Sequence, residues 1–178
     1  MPCVVLTGGP GAGKTALLAS LASMGYATVE ESARAIIAER LASGLSRRPS
    51  APEFARQILT RDIEKYVAQP RASKWVFFER GLIDALGLLQ EVSPMPSEDL
   101  EGMLTNYPFH RPVFVLPPWE AIYLNDAERD QTYTEAVMVY EKILRWYHCC
   151  RYHVHEVPRL PVIERARHVL RVLAASGA

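Results

Sequence analysis

Two rhythms of apolar and polar positions run through this chain. Short stretches at 3–7, 75–78 and 112–116 are apolar at nearly every position, and two more mixed ones lie at 26–30 and 152–157. Continuous apolarity over so few residues predicts strands covered on both faces. Between them the apolar residues spread to helical spacing, which predicts helices over 16–21, 33–41, 52–67, 84–89 and 97–104. Thr132 and Glu135 form a capping box, and behind it Ala136, Tyr140, Ile143, Leu144 and Tyr147 recur on one helical face. Val162, Ile163, Ala166, Val169, Leu170 and Leu173 mark the buried stripe of a terminal helix. Strands alternating with helices predict an α/β fold: a five-stranded parallel sheet with helices on both faces and right-handed crossovers. Ligands of such sheets bind beyond the carboxyl ends of the strands.

The segment between the first strand and first helix reads Gly8-Gly9-Pro10-Gly11-Ala12-Gly13-Lys14-Thr15, a match to the phosphate-binding pattern GxxxxGK[ST]. Its glycines let backbone N–H groups close around an anion, and the following helix points its positive end at the same place. Lys14 is expected to reach the β- and γ-phosphates of ATP, and the Thr15 hydroxyl to bind Mg²⁺. Position 16 has no threonine equivalent: it is Ala16, so the nucleotide-binding set ends at Thr15.

Glu79 and Arg80 follow the buried run 75–78, so they are expected at the carboxyl edge of the sheet. A carboxylate there either supports Mg²⁺ or accepts a proton from an attacking hydroxyl, and Arg80 is placed to brace a phosphate. Glu31 and Arg34 stand three apart at the start of the second helix, where they either contact a substrate together or pair with each other. Asp84 either caps its helix or reaches the acceptor. The polar segment around 117–131 has the length of a lid, and Arg129 is its candidate for neutralising charge on the moving phosphoryl group.

A chain of 178 residues fits a single domain, 1–178, and its 20 basic and 20 acidic side chains cancel. That balance gives no reason to expect a nucleic-acid or membrane partner. No stretch has the length of a membrane span, and the first strand begins without the regions of a signal peptide, so a cytoplasmic location is expected. Cys3, Cys149 and Cys150 form no disulfide framework, and the nearby His148, His153 and His155 lack metal-ligand spacing. Oligomeric state is not legible in these residues.

Taken together, several motifs resemble the small P-loop ATPase and kinase-like proteins of the AAA_28 domain type. They are GGPGAGKT, Glu31-Ser32-Ala33-Arg34, and Phe78-Glu79-Arg80-Gly81-Leu82-Ile83-Asp84, where the family pattern is D-R-G-x-x-D. Pro117-Pro118-Trp119-Glu120 with Asn125-Asp126-Ala127-Glu128-Arg129, and Glu156-Val157-Pro158-Arg159, extend the likeness over nearly the whole chain. The resemblance implies a P-loop NTPase fold like that of nucleoside and nucleotide kinases, with similarity to the kinase domain of ribosylnicotinamide kinases. The acid-rich end of the second strand and the lid arginine favour a Mg²⁺-dependent kinase acting on a small, nucleoside-like hydroxyl acceptor; the alternative is an ATPase (NTP hydrolase) or a nucleotide-dependent regulatory module. One position departs from the family: Glu79 replaces the usual aspartate and resembles the E-R pair of deoxynucleoside kinases, where the glutamate is the base for a sugar hydroxyl.

Overall fold

The computed structural model describes residues 3–69, 75–123 and 132–176. Among these, β1 (Cys3–Gly8), β2 (Ala27–Val29), β3 (Val76–Glu79), β4 (Pro112–Leu116) and β5 (His153–Glu156) form one sheet in the order β2-β3-β1-β4-β5. Every pairing is parallel. The helices are α1 (Lys14–Ser23), α2 (Ser32–Ala42), α3 (Ala51–Val67), α4 (Leu82–Val92), α5 (Ser97–Asn106), α6 (Tyr133–Cys149) and α7 (Val162–Ala175).

Side chains leave a strand on alternate faces, and the core divides accordingly. Cys3 and Val5, Val76 and Phe78, and Val113 and Val115 meet α4 and α6 through Leu82, Leu86 and Tyr147. Val4 and Leu6, Phe77, and Phe114 and Leu116 meet α1 and α7 through Leu17, Leu21, Val169 and Leu173 on the opposite face. Phe77 and Phe114 are fully enclosed, so truncating either to alanine costs about 3–5 kcal/mol. A third cluster, Ile36, Ile58 and Ala85, joins α2, α3 and α4 beside the sheet.

The connection after β1 leads toward β2 and the one after β4 leads toward β5, so the chain diverges between these adjacent strands. Crevices for ligands form at such a point. The phosphate-loop motif begins there, with Gly8 paired to Leu116.

Differences from the sequence expectations are local. α1 begins at Lys14, two residues ahead of Ala16, and α4 runs from Leu82 to Val92 instead of 84–89. β3 extends through Glu79, which is therefore the last strand residue rather than the first residue beyond it. β2 is trimmed to Ala27–Val29. On α7, Ile163 is exposed although Ala166, Val169 and Leu173 are buried. Val67, the last residue of α3, is likewise exposed.

Candidate active site

The phosphate loop leaves β1 at Gly8, whose φ of +139° is unfavourable for any residue with a side chain. A Cβ there would also lie 2.4 Å from the carbonyl oxygen of Leu116. Gly13, with φ of +82°, turns the chain into α1. No side chain caps this helix and no acidic residue occupies its first turn, so its leading N–H groups remain available to an anion. Lys14 is buried and bends back, donating from Nζ to the carbonyl oxygens of Gly8 at 3.2 Å and Gly9 at 2.9 Å. Burial foremost, and then the Arg80 charge, lower its pKa to about 8 against the pull of Glu31, Glu79 and Asp84. Ala16 is exposed in the first turn of α1 and has no hydroxyl, so a threonine site at position 16 does not exist and Thr15 is the hydroxyl the motif offers.

β3 delivers two charged side chains beside this loop. Glu79 is buried, and one carboxylate oxygen accepts a 2.9 Å hydrogen bond from the Thr15 hydroxyl. Arg80 has a left-handed φ of +60°, held in place as its N–H donates to Leu6 O at 2.8 Å. Such a conformation is strained for a residue with a side chain and is retained where its surroundings over-determine it. The Arg80 guanidinium donates to Gly8 O at 2.9 Å and to Asp84 at 3.3 Å, and pairs with Glu31 at 3.1 Å. Burial opposes its charge, but Glu31, Asp84 and Glu79 outweigh that and raise its pKa.

Asp84 is a strut. One oxygen accepts from the Thr7 hydroxyl at 2.5 Å and the other from the Tyr147 hydroxyl at 2.7 Å, with Arg80 as a third partner. Burial, reinforced by Asp84, pushes the Tyr147 hydroxyl far above its ordinary pKa, so it stays a donor.

On the far side of Arg80 a cavity of about 730 Å³ opens between α2, α3, α4 and α6. Glu31, Arg80 and Asp84 form the end nearest the loop, and Phe54, Ile58 and Trp146 supply apolar wall. The indole of Trp146 lies over Gly87, where a Cβ would come within 2.9 Å of it, and donates to Ile83 O at 2.7 Å. Asp62 also lines the cavity; it is buried and accepts a hydrogen bond from the Ser32 hydroxyl. Burial is the main cause raising its pKa to about 6.

The fold thus gathers Gly8 to Thr15, Glu31, Glu79, Arg80 and Asp84 at one sheet edge. Arg34 stands at the periphery, 3.9 Å from Glu31 and more than a third exposed. Arg129 and the Asn125–Glu128 motif lie outside the described residues. Of the expected 117–131 lid, the described part holds a short 3-10 turn at Glu120–Ile122, and the Tyr123 ring lies against Gly11. Sequence reasoning missed Phe54, Asp62 and Trp146. Asp62 had a readable signal, since it occupies the buried stripe Ala55, Ile58, Asp62 and Tyr66, where a carboxylate is out of place.

This sheet order, with the glycine loop between β1 and α1, defines a P-loop α/β fold. Residues 3–165 match AAA_28, an AAA domain, and the chain belongs to that family. Deoxyadenosine kinase from M. mycoides with bound dATP is 13% identical, with a TM-score of 0.63 over 98% of this chain and 100% of the other. Shikimate kinase from Acinetobacter baumannii in complex with shikimate is 17% identical, with a TM-score of 0.58 over 99% and 95%. NadR protein in complex with NR is 18% identical, with a TM-score of 0.65 over 97% of this chain and 50% of that one. Identities this low establish the shared fold alone. No curated protein matches the chain in sequence. Among the described residues, no helix is long and apolar enough to cross a membrane.

Proposed function

We propose that this protein is a kinase that transfers the γ-phosphoryl group of ATP to a hydroxyl of a small, nucleoside-like acceptor. The observation that carries this reading is the cavity of about 730 Å³ whose inner end is formed by Arg80, itself hydrogen-bonded to the phosphate loop. A protein that only hydrolyses ATP has no need of a partly apolar cleft of ligand size at that point. The named activities of the similar structures, which include deoxyadenosine kinase and shikimate kinase, agree with a small-molecule acceptor.

Phosphoryl transfer is served mainly by positioning and by compensation of charge. The N–H groups of Gly9 and of Gly11 to Thr15 would cradle the β- and γ-phosphates, and Lys14 would exchange its two carbonyl partners for phosphate oxygens. Thr15 and Glu79 offer adjacent hard oxygens, a donor set that fits Mg²⁺ held partly by substrate phosphates. When bound, the ion would neutralise charge shared by the β- and γ-phosphates. Glu79 therefore serves the metal side of the reaction. Glu31 lines the cavity and stands against Arg80, which makes it the better-placed carboxylate to receive the acceptor proton. Arg80 ties the acceptor chamber to the loop, and Asp84 keeps Arg80 in position.

The test is a panel of nucleosides and vitamin precursors incubated with Mg²⁺ and ATP. ADP should rise above the acceptor-free background with at least one of them, together with the phosphorylated acceptor. Phosphate release at one rate with and without every acceptor would replace this reading by that of a hydrolase.

A further inference from the structure

Arg165 enters the phosphate loop from behind. It lies in the first turn of α7 and is 6% exposed, with its guanidinium 5.6 Å from the centre of the Trp119 ring. One terminal nitrogen donates to Ala12 O at 3.3 Å, and would stand 2.9 Å from a Cβ at Gly13. Among the described residues, its buried Nε has no hydrogen-bond partner. Carboxylates surround Arg80, yet no described carboxylate pairs with Arg165, and burial alone acts on its pKa and lowers it. A buried cation without an anion is unfavourable unless another charge offsets it.

We propose that Arg165 is a positioning residue of the nucleotide site, whose buried charge is compensated, through the backbone of the loop, by the phosphates the loop binds. This rests on reading the loop as a nucleotide site. In the free protein the charge destabilises the fold; with polyphosphate bound it strengthens phosphate binding, because field lines between them cross a region of low dielectric. The Trp119 ring lies beside the guanidinium as a cation–π partner.

The experiment compares Arg165→Met and Arg165→Lys with the parent protein, using calorimetric titration with ATP, ADP and pyrophosphate and thermal melting without ligand. Arg165→Met should melt at the same or a higher temperature when unliganded. It should bind ATP about tenfold more weakly, the scale of one lost charge-assisted contact. Pyrophosphate should weaken alongside ATP, since the effect requires no base. Arg165→Lys should recover most of the affinity.

Lowered melting of unliganded Arg165→Met with unchanged ATP affinity would make the residue a structural pin and overturn the proposal. Weakened ATP binding with pyrophosphate unaffected would overturn it in favour of a contact to the base. If the parent protein binds neither ATP nor pyrophosphate, the nucleotide-site reading itself fails, which is distinguishable because no variant comparison then arises.

Discussion

The Thr15 hydroxyl donates to Glu79 at 2.9 Å and so ties the first turn of α1 to the end of β3, two segments 64 residues apart. The contact brings the last residue of the phosphate-loop motif against a buried carboxylate on the neighbouring strand. It also turns Glu79 toward the loop, while the cavity is lined by its neighbour Arg80 and by Glu31.

Glu79→Gln keeps the shape of this contact and removes its charge. A group that acts through the metal during transfer contributes chiefly in the transition state. Turnover should fall about a hundredfold or more, with ATP affinity little changed. The Mg²⁺ concentration for half-maximal rate should rise in both Glu79→Gln and Thr15→Ala. Steady-state kinetics over a Mg²⁺ series measures both effects, and an unaltered rate in Glu79→Gln would reduce Glu79 to a partner that orders Thr15.

Lys14 predicts a proton linked to nucleotide binding. With its pKa near 8 in the free protein, Lys14 is largely neutral at pH 9, whereas phosphate oxygens favour its charged form. ATP binding should therefore take up a fraction of a proton at pH 9 and almost none at pH 6.5. Titration calorimetry in buffers of different ionisation enthalpy reads this directly, and Lys14→Met should abolish both the uptake and turnover. The same shift fixes the sign for stability. Because the unfolded chain holds this proton more tightly, the free protein should gain stability as pH rises from about 8 toward 10.5.

Asp84 predicts a defect in folding as well as in activity. It accepts from Thr7 and Tyr147 and pairs with Arg80, so Asp84→Leu leaves two donors and a half-buried guanidinium short of a partner. Removing one member of a buried charged group costs about 3–5 kcal/mol. Tyr147→Phe, which deletes one hydrogen bond and spares the charge pair, should cost about 1–3 kcal/mol. Chemical denaturation measures the two losses, and a smaller loss in Asp84→Leu than in Tyr147→Phe would contradict this role as a strut.

What was legible in the chain follows from how locally each feature is encoded. The runs 3–7, 75–78 and 112–116 announce buried strands because nearly every residue in them is apolar, and parallel strands bring their carboxyl ends together. Glu79 and Arg80 could thus be assigned to the loop's edge from sequence alone. Asp84 read equally as a helix cap or an acceptor contact, since the partners that make it a strut lie 77 and 63 residues away. The cavity was hidden for the same reason: its walls come from four helices, and nothing local tells that Phe54, Asp62 and Trp146 face a common space.

Asp62 carries a charge that the fold tolerates at some expense. Burial raises its pKa from 3.8 to about 6, so the folded protein binds this proton more tightly than the unfolded chain does. Stability should therefore be lost as pH rises from about 4 to 6, and the penalty is complete above that window. Asp62→Asn keeps an oxygen for the Ser32 hydroxyl and removes the charge. The variant should be more stable than the parent at pH 7 by about 1–3 kcal/mol and nearly equal to it at pH 4. A residue retained at such a cost inside the proposed acceptor chamber is expected to contribute to function. The acceptor KM of Asp62→Asn should rise while the ATP KM stays unchanged. Denaturation at the two pH values together with kinetics at saturating ATP decides the matter. A stabilised variant with an unaltered acceptor KM would leave Asp62 without a part in acceptor binding.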